Sequence, residues 1–347
     1  MEEIKGFFEA EELEIFGISG AEPLPEEESQ FKNWIALGFQ GTMGYLERHA
    51  GKKYRPQELL PECKSLIFTG LNYFVPRGNL PAGHAAVAGF ARGRDYHNVL
   101  GKRLRRIAGN LRESFQDERF YTFVDTSPLA ERPFAARAGV GFIGRNTLLI
   151  RRGLGSWFVI GGIATTLALD TVRPAPAGND RGHAGSCPPG CRRCIDACPT
   201  GALFAPHRID ASKCISYLTI EHRGVIDPNL ALSAGGWIFG CDACQEVCPF
   251  NKPVESTYVA DLLAPRAGES LSVEDVLSIE TDAEFTERFA GSPVMRAKRS
   301  GLVRNACICA VNLGLITLLP VLEKLTSDAD RVIAKQAAWA VKALGGG

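Results

Sequence analysis

Two cysteine groups carry the chemistry most plainly written in this chain. The first is "CPPGCRRCIDACPTGAL", residues 187–203, where Cys187, Cys191, Cys194 and Cys198 follow the spacing C-x3-C-x2-C-x3-C-P. The second is Cys214 followed by "GCDACQEVCPFN", which supplies Cys241, Cys244 and Cys248 as C-x2-C-x3-C-P. Bacterial ferredoxins hold two [4Fe–4S] clusters with runs of this kind, and the fourth cysteine of each run ligates the cluster of the other. The pattern assigns Cys187, Cys191, Cys194 and Cys248 to one cluster, and Cys198, Cys214, Cys241 and Cys244 to a second. Zinc is the alternative. Its ribbons pair two C-x2-C knuckles about 15–20 residues apart, a shorter gap than the one here, and they leave both Cys-Pro endings unexplained. Three residues separate Cys187 from Cys191 where two are usual, so an inserted Pro-Pro-Gly turn reshapes the loop around one iron.

These thiols need elements to hold them. Residues 1–170 alternate helical and strand patterns and predict a mixed α/β (α+β) domain. "EEESQFKNWIALGF" is an amphipathic helix with Phe31, Trp34, Ile35 and Leu37 near one face. "DYHNVLGKRLRRIAGNLRESF" is a long helix. "KSLIFTGLNYF" and "RFYTFVD" are buried strands, the second ending in the turn signal Thr126-Ser127-Pro128. "NTLLIRR" and "SWFVIGGIATTL", joined by Gly153-Leu154-Gly155, predict a hairpin. A Pro- and Gly-rich linker, residues 170–186, leads to a ferredoxin-like iron–sulfur domain spanning 171–260. Residues 261–347 turn helical. "SGLVRNACICAVNLG" and "DRVIAKQAAWAVKALG" resemble one or two HEAT-like repeat units, too few to stand alone, so they are expected to pack on the rest. Cys63, Cys307 and Cys309 stand in apolar surroundings and are expected in the core.

Composition narrows the function. The 39 basic and 39 acidic residues cancel, so a nucleic-acid partner must be met by a local basic face. The amino terminus is acidic and amphipathic, unlike a secretory signal, and no apolar run approaches the roughly 20 residues of a membrane span. A cytoplasmic protein is expected, in which eleven cysteines argue for metal over disulfides. "GVGFIG" follows a helical stretch and leads into a strand, the reverse of a dinucleotide-binding turn. "DYHNVLG" lacks the glycine of the D-x-H-x-x-G cobalamin pattern, and His97 is expected to be an ordinary helix-start residue. Two clusters alone make an electron-transfer protein, but about 170 residues precede them, and a domain of that size argues for a reaction centre fed by the wire.

Read in order, "ALGFQGTMGYLERH", "LNYF", "ARGRDYHNVLGKRL", "VDTSPLAERPFAARAGVGFIGRNT", "GSWFVIG", "CRRCIDACPTGAL", "KCISYLTIEHRG" and "GCDACQEVCPFN" closely resemble the epoxyqueuosine reductases, from about residue 30 to residue 310. "CISYLTIE" and the "GCD-C---CP-N" run are not general ferredoxin features. The resemblance implies a cobalamin-binding catalytic domain over 1–170 and two [4Fe–4S] clusters that feed cob(I)alamin. It also implies reduction of epoxyqueuosine at the wobble position of tRNA. Its partners would be that tRNA and a low-potential electron donor. Asp125 matches the family's proton donor, and burial beside an apolar strand is expected to raise its pKa and keep it protonated. Read without the resemblance, the same Asp125 before Thr-Ser-Pro is a turn or helix cap. Arg48, Asp95, Asn146, Ser216 and Asp242 sit in matching motifs as cobalamin contacts. His222 and Arg223, with Arg296, Lys298, Arg299 and Arg304, are the expected tRNA contacts, and Lys102, Arg103, Arg105 and Arg106 form a second basic run. Departures from the family pattern are the Cys187 spacing, the longer linker, Phe250 where tryptophan is common, and a short C-terminal helical region. A related alternative is a cobalamin-dependent reductase of small organic halides.

Overall fold

The structure, a computed structural model, describes residues 1–171, 186–252 and 254–346, so most of the expected linker lies outside the described residues. The strands, in chain order, begin with β1 (Gly17–Gly20), β2 (Ser65–Asn72), β3 (His84–Val87), β4 (Phe120–Phe123), β5 (Phe142–Ile143) and β6 (Leu149–Ile150). They continue with β7 (Phe158–Thr165), β8 (Leu203–Ala205), β9 (Arg208–Ile209), β10 (Trp237–Phe239) and β11 (Ser270–Ser272).

An antiparallel sheet of order β1-β2-β7-β4 frames the first region. The predicted strand residues Leu66, Ile67 and Phe68 are fully buried there, each contributing about 2 kcal/mol from burial. Against this sheet lies the helix Tyr96–Ser114, whose Val99, Leu100, Leu104, Ile107, Ala108 and Leu111 are buried at helical spacing. Asp95 caps that helix, its side chain accepting from the His97 N–H. The hairpin expected around Gly153 is replaced by another pairing. β7 is a central strand whose two edges are taken by β2 and β4, while β6 pairs with β5. A single bridge, Arg151 to Gly155, is what remains of the turn.

A second sheet of order β10-β3-β11 ties the chain together, because its strands come from the three expected regions in turn. β3 lies parallel to β10 and antiparallel to β11. The C-terminal helices Val273–Leu277, Lys298–Asn312, Leu319–Leu325 and Arg331–Gly345 share one core with Ala85, Val87, Ile238 and Phe239. They therefore pack on the rest of the chain, as expected of so few helices. Cys307 and Cys309 are fully buried in this core and Cys63 in the first. Among the described residues no helix is long and apolar enough to cross a membrane.

Candidate active site

The eight expected ligands gather as two quartets. Cys187, Cys191, Cys194 and Cys248 line one cavity, together with Arg145, Asn146 and Phe250. Burial pushes the Cys194 thiol up, and Cys187, Cys191 and Cys248 add to the effect as neighbours. In the other quartet, burial pushes Cys241 up to about 12, with Cys214 and Cys198 contributing. Cys244 is raised well above its ordinary value by burial and by Cys214 and Cys241. Cys248 thus lies among the thiols of the first run, and Cys198 near those of the second. Thiols raised this far stay protonated until a metal compensates the charge of the thiolate. Among the described residues no group of three or more His, Cys, Asp and Glu side chains is arranged to hold a single metal ion. A short helix, Arg193–Asp196, and the matching Ala243–Glu246 pack together and bring the two runs into register.

From the second quartet a helix leads to a cluster of charged side chains around Asp125. Cys214 caps Ile215–Ile220, and Glu221 closes its other end. At 1.5 Å per residue that helix separates Cys214 from Glu221 by about 10 Å. Glu221 meets Arg296 at 3.6 Å, and Arg296 meets the Asp125 carboxylate at 3.4 Å. Asp125 lies two residues past the end of β4 and adopts a left-handed backbone, φ 53°, a conformation costing about 1 kcal/mol in a non-glycine residue. This bend aims the carboxylate at the start of the Tyr96–Ser114 helix. There Tyr96 Oη donates to it at 3.0 Å and His97 Nε2 lies at 3.2 Å. His97 Nδ1 lies 2.7 Å from Asp95 Oδ1, so the imidazole is held between two carboxylates.

The electrostatics correct the expectation for Asp125. Burial does push its carboxyl up, but the hydrogen bond and charge of His97, the charge of Arg296 and the Tyr96 hydroxyl outweigh it. The carboxyl is held well below the usual carboxylate range, and half of the side chain still opens to the cleft. His97 moves the other way. Burial lowers it, yet its bonds to Asp125 and Asp95 bring it up to about 9. At neutral pH the proton therefore rests on the imidazole and not on the carboxylate. His97, expected to be an ordinary helix-start residue, is the group the sequence reading missed.

Glu131 was missed as well. It lies in the first turn of Glu131–Arg137, buried, with its Oε1 lacking a hydrogen-bond partner. Burial, reinforced by the charge of Asp125, pushes it up to about 8, against the pull of the Asp125 backbone N–H and Lys53. A wall of the cleft is the loop before Gly44–Arg48, where Thr42 N–H donates to Tyr217 Oη at 2.8 Å. Gly41 approaches so closely, at φ 60°, that a Cβ there would lie 2.6 Å from the Tyr217 hydroxyl. Next to it Gln40 Oε1 is buried and unpartnered, and Asn146 Nδ2 is likewise an orphaned donor. Their chain neighbours meet the β8–β9 hairpin: Phe39 packs on Phe204, and the His207 N–H donates to Arg145 O.

The other predicted residues divide. Arg48 is exposed at the end of its helix, and Ser216 turns its backbone N–H toward the Cys214 sulfur. Asp242 is 1% exposed, with its oxygens accepting from Gly89 N–H and Gln245 Nε2. It braces the cysteine loop. Arg304 is 0% exposed and donates to the carbonyls of Leu218, His222 and Gly224. Arg299 is buried against Ile279 O and Asp328. Neither can reach a phosphate, because its donors are spent inside the protein, and this corrects the expected basic face. Arg296 serves Asp125 and Glu221, while Lys298 and Arg223 are exposed. His222 is half-buried between Tyr217 Oη and Val225 O. In the other basic run Arg103 and Arg106 pair with Glu12 and Glu11, as a solvated helix face does.

Comparison with known proteins agrees with this layout. Residues 187–251 match the family described as "4Fe-4S double cluster binding domain". Residues 53–126 match "Epoxyqueuosine reductase QueG, DUF1730". The epoxyqueuosine reductase of Xanthomonas campestris pv. campestris is 39% identical over 334 residues, covering 94% of this chain and 90% of that protein. A crystal structure of epoxyqueuosine reductase with an epoxyqueuosine-modified tRNA-Tyr stem loop superposes with a TM-score of 0.89. It is 27% identical and the match covers 99% of this chain and 90% of that one. The Bacillus subtilis enzyme, in a structure with its catalytic aspartate loop swung out of the active site, gives 0.86 at 26% identity, over 99% and 90% of the chains.

Proposed function

The chain belongs to the epoxyqueuosine reductase family of oxidoreductases, and from that premise we propose that it removes the epoxide oxygen of epoxyqueuosine at a tRNA wobble position. The cofactors in this reading are two [4Fe–4S] clusters in the two thiol quartets and a cobalamin in the cleft before Asp125. The observation that carries it is the single short helix, Ile215–Ile220, running from the second quartet to the Glu221–Arg296–Asp125 group. An electron carrier with no reaction of its own would have no use for that group.

The residues fit these cofactors. Four thiols per quartet satisfy a [4Fe–4S] cluster. The rim of a corrin carries primary amides, which an unpartnered buried acceptor and donor, Gln40 Oε1 and Asn146 Nδ2, are suited to meet. When bound, cobalamin supplies the electron-rich centre that opens the epoxide, fed one electron at a time by the clusters. Overall the two C–O bonds of the epoxide break, a C=C bond forms, and two electrons and two protons release the oxygen as water.

The chain's own residues handle the proton. His97 stores it beside the Asp125 carboxylate. A substrate that displaces Arg296 and excludes water removes part of what holds Asp125 low and deepens its burial, so its proton affinity rises toward that of the neighbouring His97. The proton moves from His97 Nε2 to Asp125 and on to the epoxide oxygen, and Asp95 steadies the imidazole from its other side. The left-handed backbone of Asp125 gives this loop a second conformation within easy reach, and a swung-out loop is seen in the Bacillus subtilis relative. Exposed Lys298 and Arg223 are the remaining candidates for tRNA phosphates, and the wobble base must be unstacked to enter the cleft.

The test supplies anaerobic enzyme, loaded with cobalamin and both clusters, with a strong reductant and tRNA bearing epoxyqueuosine. Mass spectrometry of the digested tRNA is expected to show loss of one oxygen. An intact epoxide with all cofactors verified in place overturns the proposal.

A further inference from the structure

The two quartets differ in what surrounds them. The second leads inward along Ile215–Ile220, whereas the first sits under an exposed loop in which Pro189, Gly190, Arg192 and Arg193 face solvent. Positive charge collects around that loop. Arg145 donates its backbone N–H to Cys187 Sγ at 3.3 Å and its guanidinium to Cys191 O. Arg193 lines the same cavity, and Arg192 is 56% exposed. The His207 N–H donates to Arg145 O, which brings the exposed turn of His207 and Arg208 to the same face. The acidic side chain set among them, Asp196, is paired with Arg192 at 3.3 Å. In a chain whose charges cancel overall, four arginines around one thiol quartet form a local field. Such fields steer oppositely charged partners and do little for a neutral one.

We propose that this face, formed by the 186–193 loop, Arg145 and the turn at His207–Arg208, is the docking surface of a small acidic one-electron carrier protein. The inference rests on the reading that the first quartet holds a [4Fe–4S] cluster. The carrier gives up one electron per encounter and is oxidised by one, and the cluster beneath the face is reduced by one. Two encounters supply the two electrons of one epoxide reduction. The arginines orient the carrier so that its redox group meets the Cys187–Cys191 edge.

The test compares the loaded enzyme with the double variant Arg192→Glu and Arg208→Glu, two exposed side chains outside the cluster and substrate sites. The probe is an acidic bacterial flavodoxin. In its oxidised form, binding measured by biolayer interferometry is expected to weaken at least about 10-fold in the variant, and wild-type binding to fall steeply with added salt. In its reduced form, the rate of cluster reduction, followed by absorbance without tRNA, is expected to drop by a similar factor. Reduction by dithionite and affinity for tRNA should not change. Unchanged flavodoxin binding and reduction overturn the proposal. A variant that loses tRNA affinity while keeping flavodoxin affinity assigns the face to RNA and also overturns it. Because binding and cluster reduction are read without tRNA, a failure of the epoxide chemistry leaves this result separately legible.

Discussion

Replacing Asp125 by Asn removes one of the two carboxylates that keep a proton on His97. In the wild-type chain His97 is brought from an ordinary 6.5 up to about 9, a preference for the imidazolium of about 3 kcal/mol. Burial opposes that preference, so the hydrogen bonds and charges of Asp125 and Asp95 together exceed it. Both contacts are short, at 3.2 and 2.7 Å, and each carboxylate carries a substantial share. Asp125→Asn is therefore expected to lower the His97 value by about 1–2 pH units. The assay is a carbon-13 NMR titration of histidine-labelled protein. With six histidines in the chain, loss of one resonance in His97→Gln identifies the signal. The sign of the linked stability follows from the raised value. Stability contributed by His97 is fully present below pH 6.5 and is lost as pH rises through about 9. Across that window the wild type should lose up to about 3 kcal/mol relative to His97→Gln. A wild-type His97 titrating near 6.5, or one unmoved by Asp125→Asn, refutes the reasoning.

Four thiols drawn from both runs make a sharper prediction about the clusters. Cys248→Ser should perturb the same electron paramagnetic resonance signal as Cys187→Ser, and Cys198→Ser the same one as Cys241→Ser; grouping by sequence run would contradict the exchange. Glu131→Gln replaces a buried carboxyl that is neutral at pH 7 and titrates at about 8. Since its folded value is raised, wild-type stability is lost as pH climbs through that value, and the variant should be the more stable protein at pH 9 by chemical denaturation. Arg304→Met removes a fully buried guanidinium whose partners are three carbonyls and Asn305. It should cost about 3 kcal/mol or more of stability. The tRNA affinity of the folded fraction should stay unchanged in a filter-binding assay, and a specific loss of affinity would restore Arg304 to the RNA face.

The cysteines were legible because a cluster imposes its spacing on a few consecutive residues, and the match of residues 187–251 to a double-cluster domain agrees with that spacing. The charge state of Asp125 was not. It depends on His97, 28 residues earlier, and Arg296, 171 residues later, and only the fold brings them within 3.4 Å. The long helix at Tyr96 was plain from its periodicity, and the strand at Ser65 from its run of apolar and aromatic residues. Arg299 and Arg304 misled because "RSGLVRNACICAVN" is apolar on nearly every side. A helix buried all round gives no sign of which arginines point outward. The hairpin at Gly153 failed for a topological reason: a strand with both edges already paired cannot take its sequence neighbour as a partner.

The sheet of order β10-β3-β11 also governs how the molecule can be made. His84 pairs with Ser272, so β3 waits for a partner encoded 188 residues downstream. At about 5–20 residues per second of translation, that wait lasts roughly 10–40 seconds. Throughout it Ala85 and Val87, destined for complete burial, stand on an open strand edge of the kind that pairs with other chains. Cutting after residue 170 or 260 makes the wait permanent. The first region and the cysteine-rich region are thus inseparable by truncation. During synthesis residues 84–87 keep one edge unpaired until residues 270–272 emerge.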